Sequence, residues 1–446
     1  MNILLITNGY PPHRWAGTET YTAGIAEEFH RRGNQIQVLC AGEWEKGPRY
    51  WNGYDDETHQ GIAVRRVNLN WINAPDPFGY LFNNPVIGDF LKGFLNEFQP
   101  DIVHVTSCET LSASVLQVVK NVGLPLVLSL TDFWFLCPRI NLLRSNGENC
   151  GGNTTPWECL QCQMLNTKPY QLSQQILGEQ GASHVLTQVS KFPLLTRQRG
   201  LRGFAGDMAA RKSYLRQALE WPNYLITASQ FVRDIHISNG VASSIKVNPY
   251  GHDLSWLDNY EGKTSSDVVR FGFIGQIIHS KGVHLLLEAA HLLQSALGDK
   301  FKLSIFGNVD KYPEYGTQLK DLAKKINNFQ FRGTYAHEDT ADVFAEIDVL
   351  VVPSLWYDFP LIIHEAFAIE TPVIATNLGG MAEAITHELN GLLFRRGDVG
   401  DLARQLRRFV DEPGLLEQLR KGIPTVKTIT EEVNELEAIY KEVINN

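Results

Sequence analysis

The stretch VLVVPSLWYDFPLIIHEAFAIETPVIATNLGGMAE, Val349 to Glu383, decides how the rest of the chain is read. Leu350–Val352 is an apolar run that predicts a buried strand, and Pro353-Ser354 breaks it. A polar and aromatic loop follows, then a helix from about Leu361 to Ala368, a second strand Val373–Ala375 and a Gly-Gly turn. A strand-loop-helix-strand unit of this length implies a parallel sheet with crossover helices. In such sheets ligands bind where strand C-termini meet helix N-termini, because unpaired N–H groups there carry the positive end of the helix dipole. Phe359, Pro360 and Leu361 fall at that point, with Asp358 before them and Glu365 one turn inside the helix.

The same residues carry a resemblance. The run is similar to the signature of retaining glycosyltransferases of family four, the glycosyl transferases group 1. In that family two acidic residues separated by seven others flank a Pro-Leu segment that cups a nucleotide-sugar donor. Glu365 matches the second acid. The place of the first holds Tyr357, and Asp358 is one residue out of register. The family's common Gly after the helix is Glu370 here, which is strained if the backbone there needs a positive φ.

Outward from this stretch, bulk properties bound the rest. A chain of 446 residues exceeds what one core supports, so two domains of about 200 residues each are expected. A net charge of −9 argues against a nucleic-acid binder. The opening residues Met1-Asn2-Ile3-Leu4-Leu5 run directly into a strand and turn, and no apolar run approaches the roughly 20 residues needed to span a bilayer. The expectation is a cytoplasmic protein whose six cysteines are thiols or metal ligands.

The N-terminal part opens as βαβ: a strand over residues 3–7, a loop, an amphipathic helix ending at Gly33, and a strand Ile36–Cys40. Gly17, just before the helix, lets the backbone approach a phosphate or sugar. The family has a small residue, Gly and then Glu here, matched by Ala16, Gly17 and Glu19. Residues 42–90, with Trp44, Trp51, Trp71, Phe78, Tyr80 and Phe82, read as a long-looped region whose aromatics mostly pack. His104 reads as a packed strand residue. The strand Pro125–Ser129 delivers Thr131-Asp132 to the sheet edge, where family members often show His-Asp. Asp132 is the acidic candidate on the acceptor side, with helix capping as the alternative.

Cys137, Cys150, Cys159 and Cys162 follow in the spacing C-x12-C-x8-C-x2-C. The two-residue spacer lets both sulfurs face one tetrahedral ion, so a structural zinc site stands beside free thiols and a redox disulfide as readings. Arg197, Arg199, Arg202, Arg211, Lys212 and Arg216 make a basic run, either a solvated helix face or an attachment to the inner membrane surface or an anionic acceptor.

The C-terminal domain starts at a strand Phe271–Ile274, the turn Gly275, and a helix beginning near Lys281. An ammonium beside a helix N-terminus suits a diphosphate. The family places an Arg and a Lys here; Lys281 matches and Gln276 replaces the Arg. Tyr335 lies in the loop that meets the nucleobase in the family. Glu431–Val443 corresponds to its terminal helix, which returns to the first domain.

The resemblance therefore implies two doubly wound Rossmann-like α/β domains facing across a cleft, the architecture called GT-B. Residues 1–248 with 427–446 form the acceptor-side domain, carrying a Cys-containing insertion over 137–215, and residues 249–426 bind the donor. It implies transfer of a hexosyl unit, with retention, from a UDP- or GDP-type sugar to a carbohydrate or lipid-linked acceptor in polysaccharide, glycolipid or glycoconjugate synthesis. No catalytic metal is expected. The implied roles are Glu365 on the ribose hydroxyls, Lys281 and Gln276 on the diphosphate with backbone N–H groups near Gly17, Gly275, Phe359, Pro360 and Leu361, Tyr335 at the base, Asp358 on the donor sugar and Asp132 towards the acceptor. A non-catalytic nucleotide-sugar-binding protein and a nucleotide-sugar epimerase on the same fold stay open as rivals.

Overall fold

The computed structural model describes residues 1–45, 47–165, 167–189, 203–356 and 359–445. They divide into two compact units, Met1–Tyr250 with Ile429–Asn446, and Gly251–Thr428.

The first unit is built on a sheet of β1 (Asn2–Thr7), β2 (Gln35–Ala41), β3 (Trp51–His59), β4 (Ile62–Leu69), β5 (Ile102–Val105), β6 (Leu126–Ser129), β7 (Tyr224–Thr227) and β8 (Ile245–Val247). Its order is β3-β4-β2-β1-β5-β6-β7-β8, parallel except for the antiparallel pair β3 and β4. Ile3 pairs with Ile36 on one side and Ile102 on the other, and both faces of β1 are covered, which is why Ile3–Ile6 is a continuous apolar run. The helix Gly17–Arg31 follows β1 and stops at Gly33, which takes φ 83°.

The long-looped reading of residues 42–90 is corrected here. Much of it is the β3–β4 hairpin and the start of the helix Pro85–Phe98. Gln60 and Gly61 form the hairpin turn at φ 51° and 78°, with a Gln where Asn or Asp would have signalled it. β3 lies at the sheet edge and is largely polar, so it lacks the apolar alternation that marks a strand. Of the aromatics, Trp71, Phe78 and Phe82 enter the core, whereas Trp44 stays partly exposed against Trp71.

The helix Ile429–Asn445 returns to the first unit. Tyr440 stacks on Phe29 at 5.2 Å, and its hydroxyl hydrogen-bonds His104 Nδ1 at 2.6 Å. Ser129 Oγ engages the other His104 nitrogen at 2.7 Å, so this histidine is a satisfied core residue. Arg32 adds a hydrogen bond to Asn434 at 2.8 Å.

The second unit holds β9 (Val269–Ile274), β10 (Phe301–Phe306), β11 (Phe329–Gly333), β12 (Val349–Val352), β13 (Val373–Thr376) and β14 (Gly391–Phe394), all parallel in the order β11-β10-β9-β12-β13-β14. A largely buried ion pair, Arg270 to Asp348 at 2.8 Å, fixes the start of β9 beside that of β12. The polar segment 258–267 is docked on this unit. Lys263 Nζ donates to the Phe344 carbonyl at 2.9 Å and to Thr371 Oγ1 at 2.5 Å. Glu370 takes φ 55° after the helix Leu361–Ala368, the strained position anticipated for a non-glycine there. Among the described residues, no helix is long and apolar enough to cross a membrane.

Candidate functional site

Each unit has one strand flanked by the two halves of its sheet: β1 between β2 and β5, and β9 between β10 and β12. The order reverses there, and the strand ends open into a crevice that connecting helices do not cover.

In the second unit the crevice begins at Gly275, whose N–H donates to the Phe306 carbonyl at 3.1 Å and whose φ of 150° favours glycine. Gln276 is exposed beyond it. A short turn, His279–Lys281, then leads through Gly282 (φ 72°) into the helix Val283–Leu297. A Cβ on Gly282 would lie 1.9 Å from the Pro353 carbonyl oxygen, so glycine is what lets this turn press against the end of β12. Leu355 N–H donates to the Ser280 carbonyl at 2.7 Å, and Lys281 Nζ stands 5.8 Å from the Trp356 ring centroid. Lys281 is thereby fixed between the ends of β9 and β12.

The helix Leu361–Ala368 starts at Pro360, which supplies no side-chain cap to the first-turn N–H groups. Phe359 stacks on His364 at 4.9 Å, and His364 on His252 at 4.9 Å. Glu365 keeps an edge open to solvent but is set deeply, and burial pushes its carboxyl up to about 7, opposed by His337. Tyr335, edge-on to Phe306 at 5.9 Å, feels burial and the Glu365 charge, both of which raise its hydroxyl pKa. His337, 3.8 Å from Asp253, and Ser255 hold the Asp253 carboxyl down to about 2. The structure thus brings Glu365 together with Tyr335 and His337, and Lys281 together with Ser280 and Trp356. Asp358, with Tyr357, lies outside the described residues.

In the first unit the corresponding crevice collects carboxyl groups. Asn8 after β1 donates to Glu109 Oε2 at 3.1 Å, and Arg14 Nη1 donates to the Asn8 carbonyl at 3.1 Å. Asp132 follows β6. It accepts from Trp134 N–H at 2.7 Å, which closes a local turn and begins no helix, so the helix-cap alternative does not hold. Burial drives the Asp132 carboxyl up to about 7; Trp134 N–H opposes this, and the nearby carboxyls of Glu109 and Glu19 reinforce it. Burial also raises the Glu109 carboxyl. Thr131 spends its hydroxyl on the Thr106 carbonyl at 3.0 Å. Gly17 is exposed at the helix start, and a Cβ there would meet no atom within 4 Å. Nothing among the described residues requires glycine at that position.

The sequence reading missed Asn8, Glu109 and the Asp253–His337 pair. The first two follow the C-terminal ends of adjacent strands, a signal available once β1 and β5 are recognised as neighbours. Asp253 and His337 are far apart in sequence and carried none.

The four cysteines are free thiols lining one small cavity with Arg139, Arg144, Thr154 and Glu158. Among the described residues, no three His, Cys, Asp or Glu side chains are already arranged to grip an ion. Of the basic run, Arg197, Arg199 and Arg202 lie outside the described residues. Arg211 is only 4% exposed, which corrects its placement in a surface patch. In the helix Ala205–Ala218 it shares the inward face with Met208 and Leu215, at spacings of three and four residues.

Two family models match the chain. Glycosyl transferases group 1 covers residues 261–425, and the glycosyl transferase 4-like domain covers residues 16–147. A 2-deoxystreptamine glucosyltransferase of Streptomyces kanamyceticus is 30% identical over 158 residues, 34% of this chain and 39% of that protein. A D-inositol 3-phosphate glycosyltransferase of Streptomyces bingchenggensis is 33% identical over 160 residues, 34% of each. An uncharacterized glycosyltransferase of Methanocaldococcus jannaschii is 25% identical over 208 residues, 45% of this chain and 51% of that protein. The matched stretch therefore spans about half or less of these curated relatives. Sucrose-phosphate synthase from Thermosynechococcus elongatus superposes with a TM-score of 0.66 at 16% identity, over 100% of this chain and 99% of that one. Anabaena HepE, solved with UDP-glucose, does so at 0.61 and 17%, over 98% and 100%. The fold is that of the GT-B glycosyltransferases, and the chain belongs to the glycosyl transferases group 1.

Proposed function

We propose that the chain is a retaining hexosyltransferase that uses a nucleotide diphosphate sugar, of UDP or GDP type, and delivers the sugar to a hydroxyl of a carbohydrate or lipid-linked acceptor. The observation that carries this reading is the second unit's crevice. A glycine turn, the Lys281 ammonium and a helix start without a side-chain cap meet at a topological switch point, with a deeply set carboxyl one turn further on. Glu365 accepts hydrogen bonds from the ribose hydroxyls and Tyr335 lies against the base. Lys281 and Gln276 hold the diphosphate, where Lys281 stabilises charge that develops as the sugar leaves. Asp358 contacts the donor sugar. In the first unit, Asp132 and the carboxyls beside it hydrogen-bond acceptor hydroxyls, and the backbone at Gly17 approaches the ligand closely.

HepE, of the same fold, is solved with UDP and with UDP-glucose, which favours a nucleotide-sugar donor. The relatives named for 2-deoxystreptamine and inositol phosphate favour a polyhydroxylated acceptor. Synthesis in the cytoplasm, at the membrane's inner face when the acceptor is lipid-linked, fits the same reading. Incubation with a panel of UDP-, GDP- and ADP-sugars tests it. Slow release of free sugar, with the anomer first formed matching that of the donor by NMR, is the expected result. Nucleotide-sugar binding without turnover, with or without acceptors, would replace the enzyme by a binding protein.

A further inference from the structure

We propose that Cys137, Cys150, Cys159 and Cys162 form a tetrathiolate zinc site that holds the loop leading from Asp132.

Three observations converge on it. The first is geometric: all four thiols line a single small cavity, with about 30 Å3 open to a water-sized sphere. Two come from the loop 137–150 and two, three residues apart, from the helix Pro156–Met164. The second is the hydrogen bonding of the sulfurs. Arg139 N–H points at Cys137 Sγ at 3.3 Å and Gly152 N–H at Cys150 Sγ at 3.5 Å, each from two residues downstream. The Thr154 hydroxyl lies 3.0 Å from Cys159 Sγ. Such outer-shell bonds to sulfur orient ligands at metal centres. Gly152 reaches this position at φ 81°.

The third is Arg211. Its guanidinium is buried, donates to the Trp134 carbonyl, and has no ion pair with a carboxylate among the described residues. Its helix, Ala205–Ala218, packs against the helix Pro156–Met164 that carries Cys159 and Cys162. A buried cation needs a counter-charge. Four thiols binding Zn2+ release four protons to solvent and leave a centre of net charge −2, which Arg211 half neutralises.

The side chains as they stand do not yet grip an ion. Zn–S distances are about 2.3 Å, so binding needs the four sulfurs to close in on the ion. The backbone is tied already: Cys137 N–H donates to the Phe133 carbonyl at 2.7 Å and Cys150 N–H to the Leu142 carbonyl at 2.7 Å. Ion binding would therefore stiffen the segment whose first residue is Asp132.

The test uses the full chain, purified without chelator from zinc-supplemented cells. About one zinc per chain is expected, released by a mercurial reagent in step with thiol modification. Cobalt(II) replacing zinc should give intense thiolate-to-metal charge-transfer absorption, and Cys159→Ser should lose both signals. If that variant does not fold, the cobalt spectrum of the native chain decides alone. A chain with no zinc, no cobalt charge-transfer band and all four thiols reactive would overturn the proposal. Disulfides among the four, found by non-reducing mass analysis, would overturn it as well.

Discussion

The two switch-point crevices share a strand order and differ in charge. Around β1 the strand ends present Glu109, Asp132 and the buried Glu19 of the following helix, with Arg14 as the nearby cation. Around β9 they present Lys281 and an uncapped helix start, with Glu365 set back. The common fold supplies only the opening; what each opening binds is set by a few side chains just past the strands. Carboxyl groups suit hydroxyl-rich ligands, which donate hydrogen bonds. An ammonium with free helix N–H groups suits phosphates.

Four substitutions break or sharpen that contrast. The largest effect belongs to Lys281→Ala, for which kcat should fall about 100- to 1,000-fold, as when one electrostatic stabiliser of a leaving group is removed. Single-turnover kinetics with the native donor measure it, and a variant that binds UDP and GDP as the native chain does would displace the diphosphate from Lys281.

Glu365→Gln comes next. Loss of hydrogen bonds to a charged acceptor should weaken nucleotide binding about 10- to 100-fold in calorimetry. The native profile carries a sign. The Glu365 carboxyl sits at about 7, above the ordinary carboxyl range, so it is largely protonated in the free site at acidic pH. Ribose hydroxyls need the carboxylate, so nucleotide affinity should rise with pH up to about 7 and level off. The Gln variant should be flat.

Asp132→Asn isolates the other crevice. The Asp132 carboxyl is likewise raised to about 7, so the stability it contributes is present below about pH 4 and lost as pH rises through about 7. Removing its charge should raise Tm at pH 8 by about 2 to 4 °C while acceptor transfer falls. An unchanged Tm would mean that the carboxyl is solvated. The smallest structural effect is expected for Gly17→Ala. Its Cβ meets open space, so stability should hold within about 0.5 kcal/mol while KM for the donor rises. Unchanged kinetics would remove Gly17 from the site.

Much of this was legible in the chain, for identifiable reasons. Buried parallel strands such as Ile3–Ile6 and Val349–Val352 are apolar on both faces and announce themselves. Glu370 at φ 55° was legible as a residue out of place. Edge strand β3 was not, because its pairing depends on β4 and not on its own pattern. Arg211 was misread because a run of basic residues is one-dimensional, whereas the helix turns one in three or four of them inward. The cysteine spacing suggested a metal, but the buried guanidinium was invisible until the fold packed the helix of Arg211 against that of Cys159 and Cys162.

The bond between His104 and Tyr440 spans 336 positions of sequence. A ribosome makes His104 long before Tyr440, so through the synthesis of the whole second unit the imidazole of β5 has Ser129 as a partner and waits for Tyr440. The second unit is one uninterrupted stretch, Gly251–Thr428, complete before the helix Ile429–Asn445 is made. Assembly is therefore nested: the inner body can finish first, and the outer one closes only when its last helix arrives.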